Sequence, residues 1–363
     1  MAERLVLHIG VQKSGTTYLQ QMMQDRTQEL AALGALYPVP PRRRAGATRV
    51  NYHETATYAL LGGEYSWVSE ERSAKERAWW ENLQKQVRSW EGTAIVSAEA
   101  LSVVRAEAAR TTVDALGAAD TRVFITARGL GKLLPSVWQQ HIRNGKSSSF
   151  HSYLRQLSRQ RDAGWDPLEE DHSTHLWRAF ALGRLARRWA SIVGTDKVTV
   201  ISNPGSPADR LWHRFLEAVE LGDTSAVPAP DDATTVHSGI TAPEAEVLRT
   251  LNSNLSGAEW SPDDARRLRA RIIEGFAQRS ERGPRLGIPA PFRASVESWS
   301  RADIEDLRES GIRVVGDLDE LAYSADAEPP EPAANDVAEA AGSAAATAAE
   351  WSPGLKSPLS KAV

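Results

Sequence analysis

Within the run His8-Ile9-Gly10-Val11-Gln12-Lys13-Ser14-Gly15-Thr16-Thr17-Tyr18-Leu19-Gln20, two glycines, one lysine and three aliphatic hydroxyls lie between an apolar segment and a helical pattern. Such a set can hold an anion. Gly10 and Gly15 let the backbone curl around it, and the N–H groups from Ser14 to Thr17 point at it together with the positive end of the following helix dipole. Lys13 adds a full charge inside the loop. The spacing predicts a phosphate cradle, and an ordinary turn with a helix cap is the other reading of the same residues.

Two further positions have chemistry to offer. Arg128 follows the apolar run Arg122 to Thr126, and Ser136 comes eight residues later, near the start of a helix. A guanidinium and a hydroxyl so placed can converge on one phosphate, although a surface ion pair and a helix-start hydroxyl account for them equally simply. Glu99 comes just past the run Thr93 to Ser97. A carboxylate there can accept a proton from a hydroxyl or an amine, or it can cap the helix expected near Leu101. Asp171-His172-Ser173-Thr174-His175 contains H-x-x-H without a third ligand at metal-like spacing, so no metal site is assigned. The Trp79-Trp80 pair, Trp138 and Trp177 read first as core and second as walls for an adenine or an acceptor. Arg42-Arg43-Arg44 reads as a solvated loop.

The elements that must position these groups follow from the periodicity. Arg4 to Ile9, Thr93 to Ser97, Arg122 to Thr126 and Lys197 to Ser202 are continuous apolar runs of strand length, the pattern of parallel strands buried on both faces. Helical patterns alternate with them over Thr17 to Leu33, Glu70 to Trp90, Pro135 to Arg143, His175 to Ile192 and Pro207 to Leu221. The alternation predicts an α/β fold of three layers, helices on both faces of a mainly parallel sheet, with ligands beyond the carboxyl ends of the strands. Further helices around Pro243 to Asn254, Pro262 to Gln278 and Ser295 to Glu309 are expected to flank the sheet. A short strand and turn over Gly311 to Leu321 close a domain of residues 1–322.

The 363 residues are 41% hydrophobic and carry a formal charge of -4. From Ala325 onward six acids face two lysines, so the rest of the chain is formally neutral. That balance disfavours nucleic acid or an anionic membrane as a partner held by generic attraction. Residues 323–363, rich in Ala, Pro and Glu, are expected to be a disordered tail. Neither a membrane span nor a signal peptide is readable, and a soluble, cytoplasmic protein is expected. The absence of cysteine excludes thiolate catalysis and Cys-based metal sites.

In the nucleotide loop of ATP and GTP enzymes, G-x-x-x-x-G-K-[ST], the lysine directly follows the second glycine. Here that slot is Thr16, and the loop lysine is Lys13. The run instead resembles the 5′-phosphosulfate loop of the sulfotransferases, P-K-[ST]-G-T-[ST]-[WFY]-[LV], with Gln12 in place of the proline and a match from Lys13 through Leu19. The resemblance extends over most of the chain up to Leu321. It implies a fold related to the P-loop nucleoside triphosphatases and the co-substrate 3′-phosphoadenosine 5′-phosphosulfate (PAPS). Gln12, Lys13, Ser14, Gly15, Thr16 and Thr17 would hold the 5′ end, and Arg128 and Ser136 the 3′-phosphate. Glu99 would be the base, Lys13 the catalytic cation, and no metal is implied. The acceptor is left open as a small molecule or glycan. The alternatives are an ATP-dependent phosphoryl-transfer enzyme and a non-catalytic nucleotide-binding protein.

Overall fold

Six strands pair side by side in the computed structural model, which describes residues 2–40, 51–172, 175–223, 227, 239–256 and 260–350. They are β1 (Arg4–His8), β2 (Ala35–Leu36), β3 (Thr93–Ser97), β4 (Asp120–Ala127), β5 (Val198–Ser202) and β6 (Arg313–Val315). Their order is β2-β3-β1-β4-β5-β6, and every neighbouring pair is parallel. The expected α/β class is therefore the observed one. The chain leaves β1 toward β2 on one side and leaves β4 toward β5 on the other. The carboxyl ends of β1 and β4 thus flank the switch point at which an open parallel sheet binds its ligands.

The chain divides into two compact units, the first being Met1–Leu130, Gln160–Thr234 and Glu297–Tyr323. It contains the sheet, with helices on both faces. Alternate strand residues Val6, Ile95, Phe124, Ile201 and Val315 join a buried cluster with α1 (Thr16–Asp25) and α11 (Asp209–Val219). Residues of the opposite parity, among them Leu5, Leu7, Val96, Val123, Ile125 and Val200, are equally buried. On β4 and β5 that second face is covered by α10 (Leu182–Val193), which also packs on α5 (Ala106–Leu116). Burial on both faces is why these strands lack polar alternation.

Two expected helices are broken. The first is α1 followed by α2 (Thr27–Ala32) around Arg26, and the other is α9 (Trp177–Phe180) followed by α10 around Ala181. Apolar spacing runs through both breaks, so periodicity alone could not reveal them. Helices α3 (Tyr52–Leu61), α4 (Glu70–Ser89) and α5 lie between β2 and β4, and α3 packs along α4. The end of α14 (Ala290–Ser310) docks through Trp299, whose ring meets Trp177 edge-on at 4.9 Å, while Arg161 lies over both rings.

The second unit, Gly131–Arg159, Thr235–Val296 and Ser324–Val363, is helical. It holds most of α6 (Leu130–Arg143) and α7 (Phe150–Asp162), together with α12 (Ala242–Ser256), α13 (Pro262–Ala277) and α15 (Ala334–Ala349). Helix α6 starts five residues before Pro135, which stands inside it without a backbone donor. Asn252 donates to the carbonyls of Ile142 and Lys146, and buried Glu244 accepts from Arg282 at 2.6 Å. The expected division into a domain of 1–322 and a disordered tail is corrected over Ala334–Ala349. That segment is a helix, packs against α12 and α13, and buries Ala340 and Ala344. Alanine has the best helix propensity and loses almost no side-chain entropy on burial, so close backbone approach replaces large apolar groups. Gly275 allows that approach, since a Cβ there would stand 2.3 Å from Thr347 Oγ1. Residues 351–363 of the expected tail lie outside the described residues.

Phe215 of α11 joins the packing of one sheet face to the end of β1, its ring 5.5 Å from the His8 ring and stacked with Trp212. Fully buried, it leaves a cavity beneath the loop after β1 when truncated. Phe215→Ala is expected to cost about 3–5 kcal/mol of unfolding free energy, read from urea denaturation monitored by circular dichroism.

Candidate functional site

The loop between β1 and α1 is held from below by a row of buried polar groups. Ser14 donates its hydroxyl to the Val11 carbonyl at 2.5 Å and lies 2.8 Å from Thr126 Oγ1. His8 Nε2 is 3.1 Å from that threonine hydroxyl, and His8 Nδ1 is 2.8 Å from Ser97 Oγ. Because Ser14 spends its proton on Val11, Thr126 must donate to Ser14 and accept from His8 Nε2–H. Ser97 then donates to His8 Nδ1. Ser14, Thr126 and His8 each then have one donor and one acceptor role filled, with His8 as a neutral imidazole. Burial agrees, pushing the His8 pKa down to about 3.

Above this row the loop closes tightly. A Cβ on Gly10 would fall 1.9 Å from Thr126 Oγ1, and one on Gly15 would fall 2.4 Å from Leu211 Cδ2. Gly15 also has φ 99°, in the left-handed region open to glycine. Lys13 has φ 62° without being glycine. That geometry costs about 1–2 kcal/mol and keeps the lysine at the crest of the loop, where its side chain is exposed. Asn203, just past β5, donates to the Ser14 carbonyl at 2.7 Å and steadies the loop from the far side.

The first backbone bond of α1 runs from Leu19 N–H to the Gly15 carbonyl, and the helix has no capping side chain and no acid in its first turn. The N–H groups of Thr16, Thr17 and Tyr18 are therefore left for an anion. Ser14 differs from expectation. Its N–H donates to Val11 O at 3.1 Å and its side chain lies under the loop, so it shapes the cradle from within. Gln12 is half-buried between Val11 and Lys13.

Glu99 opens a short 3-10 turn after β3 and takes no helix-capping role. Its Oε2 accepts from the Thr16 hydroxyl at 2.5 Å. Burial raises its pKa above the ordinary carboxylate value, and the Thr16 hydrogen bond and the Lys13 ammonium pull part of the way back. Arg128 at the end of β4 donates from Nη1 to the Lys13 carbonyl at 3.4 Å. Lys13, Thr16, Glu99 and Arg128 thus meet around one loop. Ser136 stands on α6, in the second unit.

Glu54 is the group that sequence reasoning missed. It lies in the first turn of α3, and its Oε1 accepts from Ala100 N–H at 2.9 Å and from the Tyr58 hydroxyl at 3.2 Å. Burial, followed by the Glu99 charge, pushes its pKa up to about 8, so it is a neutral acid beside an ionisable one. It clamps the turn that carries Glu99. No local pattern around Asn51-Tyr52-His53-Glu54 marks it, because its role comes from the packing of α3 on the end of β3.

The remaining candidates are structural where they are described. Trp80, Trp138 and Trp177 are buried, each within its own unit. His175 pairs with Asp171 at 2.9 Å, and among the described residues no group of three or more His, Asp or Glu could hold a metal ion. Arg42, Arg43 and Arg44 lie outside the described residues. Among the described residues no helix is long and apolar enough to cross a membrane.

No family model matches the chain, and no curated protein matches it. A solved structure of a sulfotransferase from Alicyclobacillus acidocaldarius is 14% identical, with a match covering 74% of this chain and 99% of that one at a TM-score of 0.39.

Glu54 yields a sign that can be measured. Between its ordinary pKa and about 8 the folded chain keeps a proton that the unfolded chain has released, so raising the pH through this window penalises the folded state. Glu54→Gln removes the penalty. Its unfolding free energy relative to wild type is expected to rise by up to about 1.4 kcal/mol per pH unit from pH 5 to 8 and then level off, measured by urea denaturation at several pH values.

Proposed function

We propose that the chain is a PAPS-dependent sulfotransferase acting on a hydroxyl or amine acceptor. The observation that carries this reading is the meeting of Lys13, Arg128 and the uncapped start of α1 with a half-buried carboxylate, Glu99, bonded to the same loop through Thr16. Cations and free N–H groups suit a carrier with an anion at each end, and the glycine-lined cradle suits the close approach of a phosphate. The co-substrate would supply a sulfuryl group already joined to a phosphate leaving group.

The residues divide the work. N–H groups of Gly15 to Thr17, with Gln12 on the same loop, hold the 5′-phosphate, while Arg128 takes the 3′-phosphate. Glu99 accepts the acceptor proton as the acceptor oxygen or nitrogen bonds to sulfur. The bond from sulfur to the bridging oxygen breaks, and its electron pair stays on that oxygen, where Lys13 neutralises the growing charge. Holding Glu99 in a buried setting raises its affinity for that proton. Glu54 clamps the Glu99 turn and acts only through it. The neutral balance of the chain outside its acidic end leaves this local cluster as the attraction for the carrier.

Two measurements test the reading. Calorimetric titration with adenosine 3′,5′-bisphosphate (PAP) is expected to show binding without magnesium, weakened at least about tenfold in Arg128→Ala. A preference for magnesium-ATP would assign the loop to phosphoryl transfer instead. With labelled PAPS and an extract of the producing cells, Lys13→Ala is expected to lose about 10²-fold or more in turnover. Glu99→Gln is expected to abolish the acidic limb of the pH–rate profile, and an unchanged profile would remove Glu99 as base.

A further inference from the structure

Helix α1 carries a second stripe beside its buried one. Leu19, Met22 and Met23 face the core, while Thr17, Gln20, Gln21 and Gln24 follow at i, i+3, i+4 and i+7. A stripe at that spacing ordinarily packs apolar groups. This one consists of a hydroxyl and three amides, and it lines a cleft of about 120 Å³ in the first unit.

The opposite wall is aromatic and fixed in place. Tyr37 and Tyr52 are nearly fully buried, and both rings pack against the His53 ring. The Tyr52 hydroxyl donates to Asn82 at 2.7 Å and accepts from Gln86 at 3.2 Å. Asn51 adds a fourth amide. Among the described residues lining the cleft none carries a charge. His53 is neutral, because its Nδ1 accepts from Ser97 N–H at 3.0 Å and its Nε2 donates to the Pro38 carbonyl at 2.8 Å. Burial holds its pKa down at about 4.

The cleft shares its framework with the candidate base. From α1, Thr16 bonds Glu99 while the next residue, Thr17, lines the cleft. From α3, His53 lines the cleft while the next residue, Glu54, clamps the Glu99 turn. Gln20 reaches across to the Ser97 carbonyl, two residues before Glu99.

We infer that this cleft is the acceptor site and that it takes one ring of a neutral, hydroxyl-rich molecule, a sugar unit without carboxylate or phosphate; the inference rests on the sulfotransferase reading above. Each sugar hydroxyl both donates and accepts, as each amide does, and the C–H face of a sugar ring suits the tyrosine wall. An anionic ring would meet no charged partner among these residues. A phenol would offer these half-buried and exposed amides a single hydroxyl. The volume is well below the ~300–1,000 Å³ of sites that enclose a whole drug-sized ligand, which points to a terminal ring entering from a larger molecule. A hydroxyl held there gives its proton to Glu99 as its oxygen bonds to sulfur.

The test uses the full chain without donor, and saturation-transfer NMR with methyl glycosides of neutral hexoses, the methyl glycoside of glucuronic acid and p-nitrophenol. Transfer to a neutral glycoside is expected, with little to the other two. Gln24→Leu and Asn51→Ala are each expected to weaken that binding by about tenfold while leaving PAP affinity within twofold of wild type. PAP binding doubles as the check that these variants fold. Preference for the glucuronide or p-nitrophenol, no transfer to any neutral hexoside, or binding indifferent to both substitutions overturns the inference. If glycosides bind through the cleft and PAP does not bind, the sugar site stands and the sulfuryl-transfer reading falls.

Discussion

One imidazole, buried and uncharged, sets the shape of everything above it. His8 ends the central strand β1, and the hydrogen bonds running from Ser97 through His8 and Thr126 to Ser14 connect three neighbouring strands to the loop that follows. The donors and acceptors in this row all point one way, so each hydroxyl has a defined proton. A row of that kind resists loop rearrangement, because turning one hydroxyl leaves its neighbour with a buried and unsatisfied lone pair or proton. The loop can then hold Lys13 in a backbone conformation that lysine ordinarily avoids. Order under the loop is what makes strain in the loop affordable.

The sheet was legible because buried parallel strands leave continuous apolar runs, and β1, β3, β4 and β5 lie where those runs lie. The same runs also contain the polar row. Each has a polar residue at its end or one position before it, His8, Ser97, Thr126 and Ser202, and these residues mark the carboxyl edge of the sheet. Ser202 shows the same habit outside the row, donating to Glu320, which also accepts from Arg214. By contrast β2, two residues long, leaves no run to read, and α3 has too weak an apolar stripe to announce itself. Glu54 and Asn203 were hidden for a different reason. Both act through contacts with distant segments, the turn after β3 and the loop after β1, and no spacing in the chain records which loops will meet. The alanine-rich end misled for the opposite reason, since a composition poor in large apolar groups can still order itself when the partner helix offers glycine and the approach is close.

The positions of the charged groups follow from electrostatics more than from sequence order. The start of α1 contributes partial positive charge, Lys13 and Arg128 contribute full charges, and a carboxylate near them would ordinarily ionise easily. Glu99 does not behave that way, because burial outweighs the attraction and its pKa ends above the usual carboxylate value. Its neighbour Glu54, desolvated and near a like charge, goes further, its pKa pushed up to about 8. Two acids of the same kind are thereby separated in proton affinity by their surroundings alone, which is the arrangement in which one can act as a base while the other serves as a fixed support.

Thr16 explains why the loop departs from the nucleoside-triphosphatase pattern at the slot where that pattern places its lysine. Its hydroxyl is buried and committed to Glu99 at 2.5 Å. A lysine in its place would bring a long cation into the space that the carboxylate occupies, and the pair would neutralise each other inside the fold. By moving the lysine to the crest at Lys13, the loop separates its two duties. The cation faces the exposed side, and the carboxylate is gripped from the helix side by a neutral donor that orients it without quenching it. The positive φ at Lys13 is the backbone's share of that separation, since a residue with ordinary dihedrals there would turn the chain before the crest is reached.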